Sequence, residues 1–146
     1  MDEEIRSEDA ARIADAVESI EQTVARLRSV QSLTRAEYAS RENVETKEAV
    51  ERRFETLSAA VIDAAETVCR VERGCVPDTR KETISALESD GVLDADLARR
   101  LREAVGFRDV LAHAYGPVIN DDIVYDALQN SLDRYVEFVE VIHRYL

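Results

Sequence analysis

Tryptophan is absent from this chain, proline, cysteine and lysine occur only twice each, and there are four glycines. Each shortage removes a class of explanation. So few glycines and prolines leave little turn punctuation for a many-stranded sheet. Cys69 and Cys75 match neither a C-x-x-C motif nor a zinc pattern, because no further cysteine and no nearby histidine completes a ligand set. They are expected as two small, half-buried thiols in a reducing compartment. No apolar run approaches the roughly 20 residues of a membrane span, and the N-terminus has no basic-then-apolar leader. A cytoplasmic protein with no membrane partner is expected.

Positive charge is also short. The 19 Lys and Arg stand against 31 Asp and Glu, a formal net charge of −12, and Lys47 and Lys81 are the only lysines. An acidic, lysine-poor surface stays hydrated in concentrated salt, so a halophile-like surface is expected, with an ordinary acidic bacterial surface as the alternative. The charge argues against a nonspecific nucleic-acid coat, since phosphate neutralisation needs clustered Lys and Arg. It leaves room for a local basic site.

What the chain does contain is helix. Its 146 residues suit one domain, 1–146, able to bury roughly two-thirds of its unfolded surface. Ile13, Val17, Ile20, Val24 and Leu27 repeat at spacings of four and three, predicting a first helix over about 5–30 with one apolar stripe. Such a stripe needs a partner helix, inside the monomer or across a homodimer. Val50, Phe54, Leu57, Val61, Ala64 or Ala65 and Val68 predict a second long helix over about 42–71, closed by Gly74 and Pro77. Asp63 sits beside that stripe among small residues and reads as less plainly solvated than Glu51 or Glu55.

Thr34 to Glu37 and Thr79 to Glu82 have the form of capping boxes that open short helices. Asp94 should cap the next helix, carrying Leu97, Leu101, Val105 and Leu111, with Gly106 permitting a close approach or a slight bend. A last helix is expected after Asn120 as N-cap, with Val124, Leu128, Leu132, Tyr135, Val139 and Ile142 as its stripe. The expected fold is all-α, an up-and-down helical bundle of three to four long helices with one or two short ones.

Chemistry concentrates in Gly106-Phe107-Arg108-Asp109-Val110-Leu111-Ala112-His113-Ala114-Tyr115-Gly116-Pro117. This is expected to be the C-terminal end of a long helix, stopped by Gly-Pro. Asp109 and His113 are four apart and direct neighbours. His113 in a last turn beside Asp109 should favour imidazolium, suited with Arg108 to binding phosphate and moving a proton. Spacing alone is equally served by a helix end in which Asp109 pairs with His113 and Tyr115 packs below.

Arg108 to Tyr115 matches the R-x4-H-x-Y motif, and the segment resembles that of HEPN domains, specifically the HepT-like toxin family. The resemblance covers nearly the whole chain. The run from Arg53 to Ala65, with Asp63, is similar to the family's second long helix, and Asp90-Gly91-Val92-Leu93-Asp94 is similar to its approach to the motif. Asp109 stands where the family often has Asn. The resemblance implies a metal-independent endoribonuclease toxin without a cofactor, acting as a homodimer on an RNA substrate. It further implies a partner antitoxin of the MNT nucleotidyltransferase type. Carried over, Arg108 holds the scissile phosphate and His113 transfers protons. Asp109 orients the motif, Asp63 is a supporting residue, and Tyr115 is the site of AMP transfer by the antitoxin. The alternative is a noncatalytic helical partner that docks a nucleotidyltransferase through the same residues. His143 and the tyrosines at 125, 135 and 145 read as surface or packing residues, and Tyr38 carries no signal.

Overall fold

The two longest apolar stripes cover each other. In a computed structural model that describes residues 2–112 and 117–146 (side chains excepted at 2–6, 110, 112 and 117–120), α1 (Asp2–Arg28) lies along α3 (Val44–Arg73). This is the most extensive helix pairing in the fold. Every stripe residue named above for these two helices is buried. Each large aliphatic side chain so covered contributes about 1.5–3 kcal/mol, more than helix propensity supplies. The partner that α1 needs is therefore inside the chain, namely α3, with α7 on its flank.

The remaining helices are α2 (Arg35–Ala39), α4 (Arg80–Ser89), α5 (Ala95–Ala112), α6 (Pro117–Asn130) and α7 (Asp133–Ile142), and every regular element among the described residues is helical. The fold is the expected all-α bundle. Helix α4 bridges α3 and α5, α5 leans on α7, and α2 packs on α6. Both capping boxes form. Thr34 Oγ1 accepts from the Glu37 amide at 3.1 Å while Glu37 Oε1 accepts from the Thr34 amide at 2.9 Å. Thr79 and Glu82 repeat the pattern at 3.1 and 3.3 Å. Gly74 ends α3 at φ +77°, donating to the Arg70 carbonyl at 2.8 Å. A side chain with a Cβ would strain that turn. Arg73 then grips Asp90 through two bonds of 2.6 and 3.0 Å, joining the end of α3 to the end of α4. That hydrogen bonding holds the Asp90 carboxyl below its usual range.

Three expectations need correction. The last helix is two helices, with a break at Ser131 and Leu132. Gln31 Nε2 donates to the Leu128 carbonyl at 2.9 Å, the acceptor that Leu132 would use in an unbroken helix. A side chain inserted into the ladder is a recognised cause of a kink. The break stayed hidden because Leu128, Leu132 and Tyr135 remain buried across it, so the stripe keeps its phase. Secondly, α6 begins at Pro117 rather than after Asn120. Proline suits the first helical position because its missing N–H would be an orphan there. Thirdly, the thiols are not half-buried: Cys69 is buried and Cys75 exposed.

Burial pushes the Cys69 thiol up, with Arg73 partly opposing, and its Sγ contacts the Thr83 carbonyl at 3.7 Å. A maleimide added to native protein should therefore label Cys75 alone, and Cys69 should react only in denaturant. Peptide mapping of the labelled protein checks this.

Candidate functional site

Helix α5 is fixed against its neighbours on three sides. Phe107 meets Phe54 of α3 edge-on, with ring centroids 5.3 Å apart and planes at 87°. Arg102 Nη1 donates to Glu88 of α4 at 2.9 Å. Arg100 binds Glu137 of α7. With Phe107 turned onto α3, the next residue is rotated by about 100°. That rotation carries Arg108 to the edge of a cleft of about 260 Å³.

The cleft is lined by Ser58, Ala59, Ile62, Asp63 and Glu66 of α3, Arg80 of α4 and Arg108 of α5. Neither Arg80 nor Arg108 has a hydrogen-bond or ion-pair partner among the described residues. Two forked guanidinium donors thus share an open space with two carboxylates and a hydroxyl. Such donors suit the oxygens of a phosphate, and carboxylates suit hydroxyl or amino donors.

The structure brings Arg108 and Asp63, both expected as site residues, to one cleft. It corrects the solvation of Asp63, which is exposed where Glu51 is half-buried. The small neighbours Ala59 and Ala60 leave that carboxylate uncovered, and it also borders a second depression with Asp15 and Ser19. Asp109 lies on the exposed side of α5. His113 and Tyr115, and the cap expected at Gly116, lie outside the described residues. Among the described residues no group of three or more His, Cys, Asp or Glu is placed to hold a metal ion, and no helix is long and apolar enough to cross a membrane.

Sequence reasoning missed Arg80. Nothing marked it beyond its place just after the Thr79 cap, the first residue of a helix that leans on both α3 and α5. It also missed Tyr38, which is fully buried, its ring 5.6 Å from that of Tyr125. Burial pushes the Tyr38 phenol strongly up, with Glu51 and Asp121 adding to the effect. His143, in the short turn just after α7, is exposed and lies 3.8 Å from Glu21 of α1, in keeping with a surface role.

With the geometry established, the chain can be set beside known proteins. A family model described as ribonuclease HepT-like matches residues 13–142. The mRNA nuclease HepT of Shewanella oneidensis is 28% identical over 83 residues, 57% of this chain. The match spans 62% of that curated relative's length. Among solved structures, a chain of a toxin–antitoxin MntA–HpeT mutant superposes with a TM-score of 0.82 at 21% identity, covering 92% of this chain and 98% of that one. A chain from the tri-AMPylated Shewanella oneidensis HEPN toxin in complex with MNT antitoxin gives a TM-score of 0.69 at 21% identity, covering 96% and 97%. These likenesses carry the fold.

Gly106 is not required by a close backbone approach. A Cβ there would meet only the Lys81 side chain, its Nζ at 3.7 Å, an ordinary contact with the far end of a flexible group. Gly106→Ala should fold and gain about 1 kcal/mol, the cost of glycine inside a helix. A urea midpoint shifted upward at unchanged slope is the expected readout.

Proposed function

The chain belongs to the HepT-like ribonuclease family, and on that footing we propose that it is the toxin of a toxin–antitoxin pair, an endoribonuclease that cuts RNA through Arg108 and His113 without a metal ion. The observation that carries this reading is the guanidinium of Arg108, which lines the cleft with no ion-pair partner among the described residues. A structural arginine half-buried in a helix bundle ordinarily has its carboxylate; one that lacks it suits an anion that arrives from outside.

The chemistry follows from what RNA supplies. The ribose 2′-oxygen attacks the adjacent phosphorus, a new P–O bond forms, and the bond to the 5′-oxygen breaks. The products are a 2′,3′-cyclic phosphate and a 5′-hydroxyl. Charge builds on the phosphoryl oxygens in the transition state, and Arg108 offsets it with paired N–H donors. His113 moves the proton, taking it from the 2′-hydroxyl as imidazole or giving it to the leaving oxygen as imidazolium. One imidazole serves one of these roles at a time. A homodimer that sets two motifs across a shared cleft supplies both. Asp109, four residues before His113 in the sequence, orients it, and Asp63 lines the same cleft as Arg108 from α3.

Control of the toxin rests on Tyr115. The chain has five tyrosines, and the other four have hydroxyls that are buried or engaged. Tyr38 and Tyr135 are buried. Tyr125 Oη donates to the Leu33 carbonyl at 2.8 Å, and Tyr145 Oη donates to Glu72 at 2.5 Å. A nucleotidyltransferase antitoxin of the MNT type joins the Tyr115 oxygen to the α-phosphorus of ATP and releases pyrophosphate. The added AMP carries a negative phosphate beside Arg108 and His113 and competes with RNA for both.

Purified protein should cut RNA in the presence of a chelator. Arg108→Ala should lower the rate by about 10²–10³-fold, the usual cost of removing one transition-state donor. His113→Ala should be inactive with an unchanged helical circular dichroism spectrum. Full activity in either variant sinks the roles assigned to these two residues, and no cleavage by the parent protein favours the noncatalytic docking alternative. Co-expression with the cognate nucleotidyltransferase should add AMP mass that maps to Tyr115, and Tyr115→Phe should escape silencing. Mass mapping elsewhere would overturn this switch.

A further inference from the structure

The residues that line the cleft with Arg108 are more than scenery for one phosphate. Ser58, Ile62 and Glu66 fall at successive spacings of four, one line down α3. Eight residues of helix at 1.5 Å each make that floor about 12 Å long. Two guanidinium groups from two different helices, Arg80 of α4 and Arg108 of α5, open onto it. Ser58 is 2% exposed, and its hydroxyl has no hydrogen-bond partner among the described residues. A buried hydroxyl without a partner is costly unless something else supplies one. Lys81, next to Arg80, carries its ammonium over Gly106 of α5. In a chain with a net charge of −12, this is a local gathering of cations.

The facing carboxylates, Asp63 and Glu66, decide which anion fits. A free inorganic anion would meet both carboxylates with nothing to offer them. A nucleotide brings acceptors on its phosphate and donors on its ribose, so both halves of the cleft find partners. We propose that Arg80, together with Ser58 of the same cleft, binds the RNA phosphate next to the one held by Arg108, so that the cleft is a nucleotide-long substrate subsite. This rests on the ribonuclease reading. Arg80 is a positioning residue: it fixes the strand while Arg108 and His113 act on the neighbouring bond.

The test uses full-length protein carrying His113→Ala, so that RNA survives, and a short fluorescein-labelled single-stranded RNA titrated across a range of salt. Arg80→Ala should weaken binding about tenfold, in line with loss of a charge-assisted hydrogen bond. It should also reduce the slope of log affinity against log salt by about 0.7, the value for one phosphate contact on a single strand. Arg80→Lys should keep the slope. Ser58→Ala should weaken binding by a smaller factor without lowering thermal stability, because it removes a hydroxyl with no internal partner. Arg26→Ala, in the last turn of α1 and outside the cleft, alters net charge equally and should leave affinity unchanged. In otherwise native protein, Arg80→Ala should raise KM with kcat nearly preserved.

Equal affinity and equal slope for Arg80→Ala and Arg26→Ala would overturn the subsite, whatever the protein does to RNA. If Arg80→Ala fails to fold, Arg80→Gln decides by the same two readouts and Ser58→Ala by affinity alone. RNA bound with the predicted Arg80 dependence but never cut by the parent protein would overturn the ribonuclease reading and uphold the subsite. No RNA binding by any variant would overturn both.

Discussion

Helix α3 is the constraint on which the rest of the structure depends. Among the described residues it touches every other α-helix, and twelve of its thirty residues are buried. Its apolar stripe takes α1 along its length, its middle takes Phe107, and its far end takes α4. Small residues at Ser58, Ala60, Ala64 and Ala65 let neighbouring helices come close, where packing at interior density is most sensitive to volume. The same smallness opens the cleft. Where buried Ile62 gives way to exposed Asp63, α3 passes from core to solvent, and the site sits on that boundary.

The bundle was legible because its signals are local and periodic. The stripes of α1 and α3 repeat at three and four, and burial follows them without exception. Thr34 and Thr79 announce their helices because a capping box is written in four consecutive residues. What escaped was decided by contacts distant in sequence. Gln31 reaches Leu128 across ninety-seven residues, and no pattern near Leu132 reports it. Tyr38 is buried because Tyr125 and the helices around it close over it, whereas its own short helix looks like surface. Arg80 gains meaning only when α4 lays it beside α3 and α5. The motif segment was recognisable from its residues, and Arg108 and Asp63 meet in one cleft, but the second cation there could not be read from spacing.

Under the proposed function, a strongly acidic protein meets a polyanion through two opposed fields. Repulsion from the general surface acts at long range and fades within about 10 Å at 0.1 M salt. Attraction from Arg80 and Arg108 acts at contact, in the cleft that they line with α3. If RNA is the substrate proposed above, the first sets how often it arrives and the second how long it stays. Salt weakens both, so under that proposal an acidic surface would soften the loss of encounter rate that salt imposes on a basic nuclease.

The partly buried ion pair between Lys47 of α3 and Asp121 of α6, at 3.2 Å, gains significance beside the ring contact of Phe54 with Phe107. In sequence these two contacts bracket the stretch that carries His113 and Tyr115. Both land on α3, at Lys47 and Phe54, two turns of helix and about 10.5 Å apart. The helix therefore works as a ruler, with one mark ionic and the other apolar. Its graduations are peptide units, so its length does not drift with temperature or salt as a loop's span would. Adding or deleting one residue between the marks would turn one of them by about 100° about the axis and change the span that the stretch must bridge.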